Sequence, residues 1–201
     1  MKVLITGFEP FGESSINPSQ LLVEGAATAF PNGIEIVKAV LPVERTGGPE
    51  ALIDALLRHQ PDAAICLGLA AGRPAISLER VAVNLMDYRI PDNAGETVQD
   101  QPVAPEGPPA YFSRLPLTAM HAALQANGIP AELSLTAGAY LCNQIFYTLM
   151  HHLATHQREI SAGFIHLPAC PEQAVHFNKP LPTMSLDLLE KALPLLLETL
   201  G

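Results

Sequence analysis

The sequence predicts an α/β fold, and three observations carry that reading. Strand-like and helix-like segments alternate along the chain, the strand-like ones are short and rich in β-branched or apolar residues, and turn residues or polar residues bound them. Residues 2–6 (KVLIT), 34–41 (IEIVKAVL), 63–69 (AAICLGL), 75–84 and 162–167 read as strands, several of them buried. Between them, Asn17-Pro18 pairs an N-cap residue with proline at the first helical position, so a helix starts there. Residues 49–60, 118–127 and 185–200 carry further helical patterns, and Pro194 is expected to kink or interrupt the last of them. Such alternation implies a sheet covered by helices on both faces, with functional residues gathered at the carboxyl ends of strands.

A chain of 201 residues buries a full core as one domain, and no linker divides residues 1–201. The stretch from Ile90 to Pro116 is rich in proline and polar residues and has no apolar period. A connection of that length is expected to be a lid or an interface arm.

Composition narrows the function classes. Twenty acidic against eleven basic residues leave a formal charge of -9, and no Lys/Arg run offers a footprint for phosphate backbones, so neither nucleic acid nor an anionic membrane is an expected partner. The opening MKVLITGFEPFG is too briefly apolar for a signal-peptide core or a membrane span, and three cysteines make no disulfide framework. Both features point to a cytoplasmic protein with free thiols.

The chemistry concentrates around Cys142. An apolar run at Leu133 ends in the small-residue turn Ala137-Gly138-Ala139, after which Ile145, Phe146, Leu149, Met150 and Leu153 repeat at helical spacing. Cys142 is therefore expected at a helix start, where the dipole and unpaired N–H groups can lower a thiol pKa and stabilise an oxyanion. A free cysteine is more often a small buried hydrophobe, so the position alone is weak evidence. A nucleophile also needs a base. His166 closes an apolar run immediately before Leu167-Pro168, at a strand end, unlike His59, His121, His151, His152, His156 and His176, which lie in helical or loop segments. The third candidate, Glu79, interrupts the strand-like AISLERVAVN, where a buried acid requires a partner, either a histidine or one of Arg73 and Arg80.

Other clusters carry less. Cys66 reads as core packing and Cys170 as a loop thiol with no base. His152 and His156 lie one helical turn apart without a third ligand or the Glu of a zincin, so no metal is expected. GFEPFG and RTGGPE lack the Gly-Lys-Ser/Thr of a phosphate loop.

Taken together and in order, GFEPFG with NPS shortly after, GLAAGRPAISLERVAVN, RIPDN, AYLCN and FIHLP resemble the type I pyroglutamyl peptidases, also called pyrrolidone-carboxylate peptidases, over nearly the whole chain. The resemblance implies a central twisted, mixed sheet, no cofactor or metal, a cytoplasmic homo-oligomer (tetramer or dimer), and hydrolysis of the bond after an N-terminal pyroglutamyl residue of peptides. It assigns Cys142 as nucleophile, His166 as general acid/base and Glu79 as the residue that orients the histidine. By position it also implies a substrate pocket of Phe8, Phe11, Asn17, Leu69, Arg89, Ile90, Tyr140 and Leu141. Two positions depart from the family pattern: Leu69 stands where Gln is common, and Tyr140 where Phe is common. Two other readings fit the residues, a cysteine amidase or transferase of different specificity and a catalytically silent binding protein.

Overall fold

The structure is a computed structural model that describes residues 1–12, 14–30, 33–175 and 180–201. His176 lies outside the described residues. The strands are β1 (Lys2–Phe8), β2 (Glu35–Leu41), β3 (Ala63–Leu69), β4 (Ile76–Glu79), β5 (Val81–Val83), β6 (Ala110–Phe112), β7 (Ala131–Ser134) and β8 (Ser161–Leu167). The helices are α1 (Pro18–Gly25), α2 (Gly47–His59), α3 (Leu117–Ala126), α4 (Leu141–Thr155), α5 (Pro171–Ala174) and α6 (Leu186–Glu198).

Six strands form one mixed sheet in the order β2-β1-β3-β8-β4-β7, and β5 pairs with β6 as a separate antiparallel ribbon. Strands β2, β1, β3 and β8 are mutually parallel, whereas β4 runs antiparallel to β8 and parallel to β7. Period-two alternation sorts the side chains by face. Val3, Ile5, Ile65, Leu67, Ile76, Leu78 and Ile165 point to one core with α1, α3 and α6, while Leu4, Ala64, Cys66, Ala162 and Phe164 point to the other with α2 and α4. The α/β fold with helices on both faces is the one the alternation predicts.

Local differences have local causes. The run at 75–84 is not one strand. It breaks at Arg80, where Arg80 N bonds the Ser134 carbonyl and its own carbonyl accepts from Ser113 N, so β4 stays in the main sheet and β5 turns away to meet β6. Short strands β6 and β7 sit at edges, where few apolar positions are needed to hold them. Helix α6 continues through Pro194 without interruption. The loss of one helical N–H there costs about 3 kcal/mol, while burial of Leu189, Ala192, Leu193, Leu196 and Leu197 on the same face contributes about 1.5–3 kcal/mol per large side chain. Burial wins.

The segment from 90 to 116 is tied down along its length. The buried Asp92 accepts from the backbone N–H groups of Arg45, Ala94 and Glu96, Tyr88 N bonds Val98 O, and Tyr147 Oη donates to Pro108 O at 2.7 Å. It is a strap pinned to the turn before α2 and to α4.

Candidate active site

The carboxyl ends of β1, β3 and β8 bring Phe8, Leu69 and His166 to one edge of the sheet, where the parallel register sets Gly68 beside His166. Strand β4 approaches from the opposite direction, with Ser77 paired to His166 and Leu78 to Ile165. Continuing that register places Glu79 one step deeper than the imidazole and on the same face of the sheet. Its reversed direction explains why the carboxylate is fully buried and comes at the histidine from inside.

Glu79 Oε1 lies 2.7 Å from His166 Nδ1 and accepts a second hydrogen bond at 2.7 Å from Arg73 Nη1. Both partners weighed from the sequence, histidine and arginine, therefore share one oxygen, and Arg80 is not among them. Glu79 Oε2 is buried and has no hydrogen-bond partner among the described residues. Burial alone would raise the carboxyl pKa, but the bonds from His166 and Arg73 outweigh it and hold Glu79 below its ordinary value. Burial lowers the imidazole pKa, opposed by Glu79 and reinforced by the Arg73 charge, so His166 titrates below its ordinary value. The ring packs on Phe164, with centroids 4.9 Å apart.

Cys142 is the second residue of α4, as the helical spacing requires. Its sulfur sits against Gly68, where a Cβ would approach Sγ to 2.9 Å and the Phe164 ring to 2.7 Å. The expected lowering of the thiol pKa is not what this position produces. Although the residue keeps some exposure, burial of its sulfur and the Glu79 charge push the thiol up to about 12, against smaller opposing effects of Arg73 and the backbone N–H of Cys142. Depth in the fold overrides the helix dipole here, and burial disfavours charge on both the thiol and the imidazole. No Cys142–His166 hydrogen bond is formed among the described residues, and His166 Nε2 is left free for the thiol or a substrate.

Helix α4 begins at Tyr140, which has extended backbone (φ -94°, ψ -165°) and supplies no side-chain cap. The N–H groups of its first turn thus stay available to an anionic ligand. The helix is held in place at Asn143, whose Oδ1 accepts from Val83 N and whose Nδ2 donates to the carbonyls of Val83 and Leu85, each at 2.9 Å.

Cys142 and His166 open into a cavity of about 910 Å³. All eight residues of the expected pocket line it: Phe8, Phe11, Asn17 and Leu69 from one side, and Arg89, Ile90, Tyr140 and Leu141 from the other. Phe11 and Tyr140 face each other with ring centroids 6.4 Å apart, and Tyr140 is buttressed edge-on by Tyr88 at 4.6 Å. Asn17 is mostly spoken for. Its Oδ1 caps α1 by accepting from Ser19 N and Ser19 Oγ, and its Nδ2 donates to Glu9 O, so only one side-chain N–H remains.

Sequence reasoning missed several wall residues, among them Val43, Asp87 and Gln173. Gln173 is fully buried and ties Cys170 N to Ser14 and Ile16, a long-range clamp that no local pattern reveals. Cys170 is buried, not an exposed loop thiol, because it opens α5 and is roofed by this clamp. The His152 and His156 rings lie 4.2 Å apart and tilted by 30° at the C-terminal end of α4, and no group of three His, Cys, Asp or Glu is gathered for a metal among the described residues.

Comparison with known proteins agrees with this geometry. The pyroglutamyl peptidase family model matches residues 1–200. The chain is 49% identical over 198 residues to a pyrrolidone-carboxylate peptidase of Vibrio vulnificus, covering 98% of this chain and 92% of that protein. It is 43% identical over 197 residues to the Bacillus subtilis protein of the same name, covering 96% and 88%. The crystal structure of pyroglutamyl peptidase I from Bacillus amyloliquefaciens superposes with a TM-score of 0.95 at 41% identity, covering 99% of this chain and 94% of that one. A mutant pyrrolidone carboxyl peptidase from the hyperthermophile Pyrococcus furiosus gives 0.96 at 41% identity, covering 100% and 98%. With the family model matching residues 1–200 and the fold shared with these solved structures, the chain belongs to the pyroglutamyl peptidases.

Proposed function

We propose that this protein removes N-terminal pyroglutamate from peptides by a thiol mechanism in which Cys142 attacks, His166 transfers the proton and Glu79 orients the imidazole. The observation that carries it is the Glu79–His166 hydrogen bond, 2.7 Å long and buried, directly behind a cavity that also exposes Cys142. Attack of Sγ on the pyroglutamyl carbonyl forms the C–S bond as His166 Nε2 takes the thiol proton, and the oxyanion meets the open N–H groups at the start of α4. The same proton then goes to the departing amine, and water, deprotonated by His166, hydrolyses the thioester.

Recognition follows from what the lactam lacks. Pyroglutamate is uncharged and compact, and the Phe8, Phe11 and Tyr140 rings supply apolar walls for it. A protonated N-terminal amine would be desolvated there without a partner, so ordinary N-termini are rejected. With Leu69 offering no amide and Asn17 only one N–H, the lactam polar atoms fall to backbone groups near Tyr140 and Leu141.

The proposal includes a cytoplasmic homo-oligomer, dimer or tetramer, which sedimentation of the purified protein would reveal as a species above 21.5 kDa. No helix among the described residues is long and apolar enough to cross a membrane. The activity is tested with a fluorogenic pyroglutamyl amide, with reductant and chelator present, beside a panel of other aminoacyl amides. Selective turnover of the pyroglutamyl compound is expected, and preferential turnover of another would identify an amidase of different specificity.

A further inference from the structure

We propose that Arg73 is a positioning residue of the reaction, one that clamps the Glu79 carboxylate and the loop leading into Cys142 to a common guanidinium so that base and nucleophile are presented together. The inference rests on the thiol mechanism above.

Arg73 lies in the turn after β3, following Gly72 (φ +97°) and closed by a bond from Arg73 N to Ala70 O at 3.1 Å. From there the planar head reaches two elements at once. Nη1 donates to Glu79 Oε1 at 2.7 Å and lies 3.4 Å from Ser134 Oγ, while Nη2 donates to the Thr136 carbonyl at 2.9 Å. Thr136 belongs to the β7–α4 loop, which is further folded by Gly138 N on Thr136 Oγ1 at 3.1 Å and by Asp87 N on Ala139 O at 2.8 Å. That loop ends at Tyr140 and delivers Cys142 one turn-fraction later.

Two physical needs converge on this side chain. Glu79 is fully buried, burial disfavours charge on its histidine partner, and among the described residues Arg73 is the one permanently charged group bonded to the carboxylate. A buried carboxylate without such a partner carries a large desolvation penalty. Moreover, the thiol and imidazole make no direct hydrogen bond with each other among the described residues, so their alignment depends on the scaffold that carries them. The path from the β7–α4 loop through Arg73 to Glu79 and on to His166 is a continuous chain of hydrogen bonds. Lysine cannot reproduce it, since a point charge does not span two acceptors in a fixed fork.

The test uses Arg73→Met and Arg73→Lys in the full-length enzyme. Steady-state kinetics on the pyroglutamyl amide are combined with the pH dependence of Cys142 alkylation by iodoacetamide. The ionisable groups facing His166 and Cys142 are Glu79 from β4, Arg73 from the β3–β4 turn, Cys66 from β3, Tyr140 at the start of α4, and Asp87 and Arg89 across the cavity. Arg73→Met should lower kcat on the order of 10²-fold, the cost of a ~1 Å misplacement, with KM little changed. Loss of the positive charge should also move the acid limb of kcat/KM upward and slow alkylation at fixed pH, since both imidazole and thiol then hold their protons more tightly. Arg73→Lys should keep the acid limb near that of the wild type yet still lose kcat, because only one anchor survives. A raised KM at unchanged kcat would make Arg73 a substrate contact and overturn the proposal, as would wild-type kcat in Arg73→Lys. If Arg73→Met does not fold, the lysine variant alone decides. Should the wild type leave the pyroglutamyl amide uncleaved, the functional reading fails, while the alkylation profiles still report whether Arg73 couples to the thiol.

Discussion

Glu79 and His166 meet across an antiparallel strand pair, the imidazole Nδ1 lying 2.7 Å from a carboxylate oxygen that reaches it from deeper in the sheet. Because the histidine lies on a parallel strand and the acid on the reversed one, the two side chains converge on one face although 87 positions separate them.

Removing either member separates their roles. His166→Ala should lower kcat/KM by about 10²–10⁴-fold, the usual worth of a positioned base, and Glu79→Gln should lower it less because the base survives. The acid limb adds a sign. Burial already holds the imidazole below its ordinary value of about 6.5, and the carboxylate works against that burial. Glu79→Gln should therefore move the acid limb further down, which a pH profile of kcat/KM would show. An upward shift would contradict the electrostatic role given to Glu79.

Among the three thiols only one faces the cavity. Cys142→Ala should abolish hydrolysis, whereas Cys66→Ala and Cys170→Ala should retain it with some loss of stability, since both are buried. Cys66 and Cys170 are sealed in the core while Cys142 opens to the cavity, so alkylation of the native enzyme followed by peptide mapping should mark Cys142 first. Full activity in Cys142→Ala would end the mechanism.

Gly68 answers a steric demand at the nucleophile. A methyl group there would lie 2.9 Å from Cys142 Sγ and 2.7 Å from Phe164; the ring is packed in the core, so the sulfur, which borders the cavity, is the atom that must give way. Gly68→Ala should cost about 1–3 kcal/mol in urea unfolding and should lower kcat more than the stability loss explains, by turning the sulfur away from the imidazole. Wild-type turnover in this variant would show that the sulfur has more room than the packing allows.

Specificity should depend on the rings more than on position 69. Phe11→Ala removes half of the Phe11–Tyr140 pair and should raise KM strongly for pyroglutamyl amides. Leu69→Gln should be tolerated or mildly beneficial, because the half-buried side chain borders the cavity and can turn an amide toward the lactam. Wild-type cleavage of a prolyl amide as fast as the pyroglutamyl amide would refute this account of the pocket.

Much of this site was legible in the residues. Cys142 is phased by the apolar repeat of α4, His166 is marked by the end of an apolar run, and Glu79 stands out as an acid inside one. What the pattern could not decide was which cation would neutralise Glu79, since alternation gives the face of a side chain but not its neighbours on other strands. Nor could it show that β4 and β5 part at Arg80, because the hydrogen bonds that redirect the chain come from Ser134 and Ser113, distant in sequence. The thiol pKa is hidden from the sequence for a related reason. A helix start is visible in sequence, whereas the depth at which it is buried beneath Gly68 and Phe164 is a property of the assembled sheet.

The bare start of α4 carries an evolutionary consequence. Tyr140 supplies no side-chain cap, so the helix forgoes about 0.5–2 kcal/mol that Ser, Thr, Asp or Asn in its place would provide. Selection on thermal endurance alone would fill that position. A capping oxygen, however, would occupy the donors that the proposed mechanism assigns to the oxyanion, and an aspartate would also set a negative charge where that mechanism develops one. Position 140 is thus a place where the protein stands off its stability optimum, and added stability has to come from elsewhere in the chain.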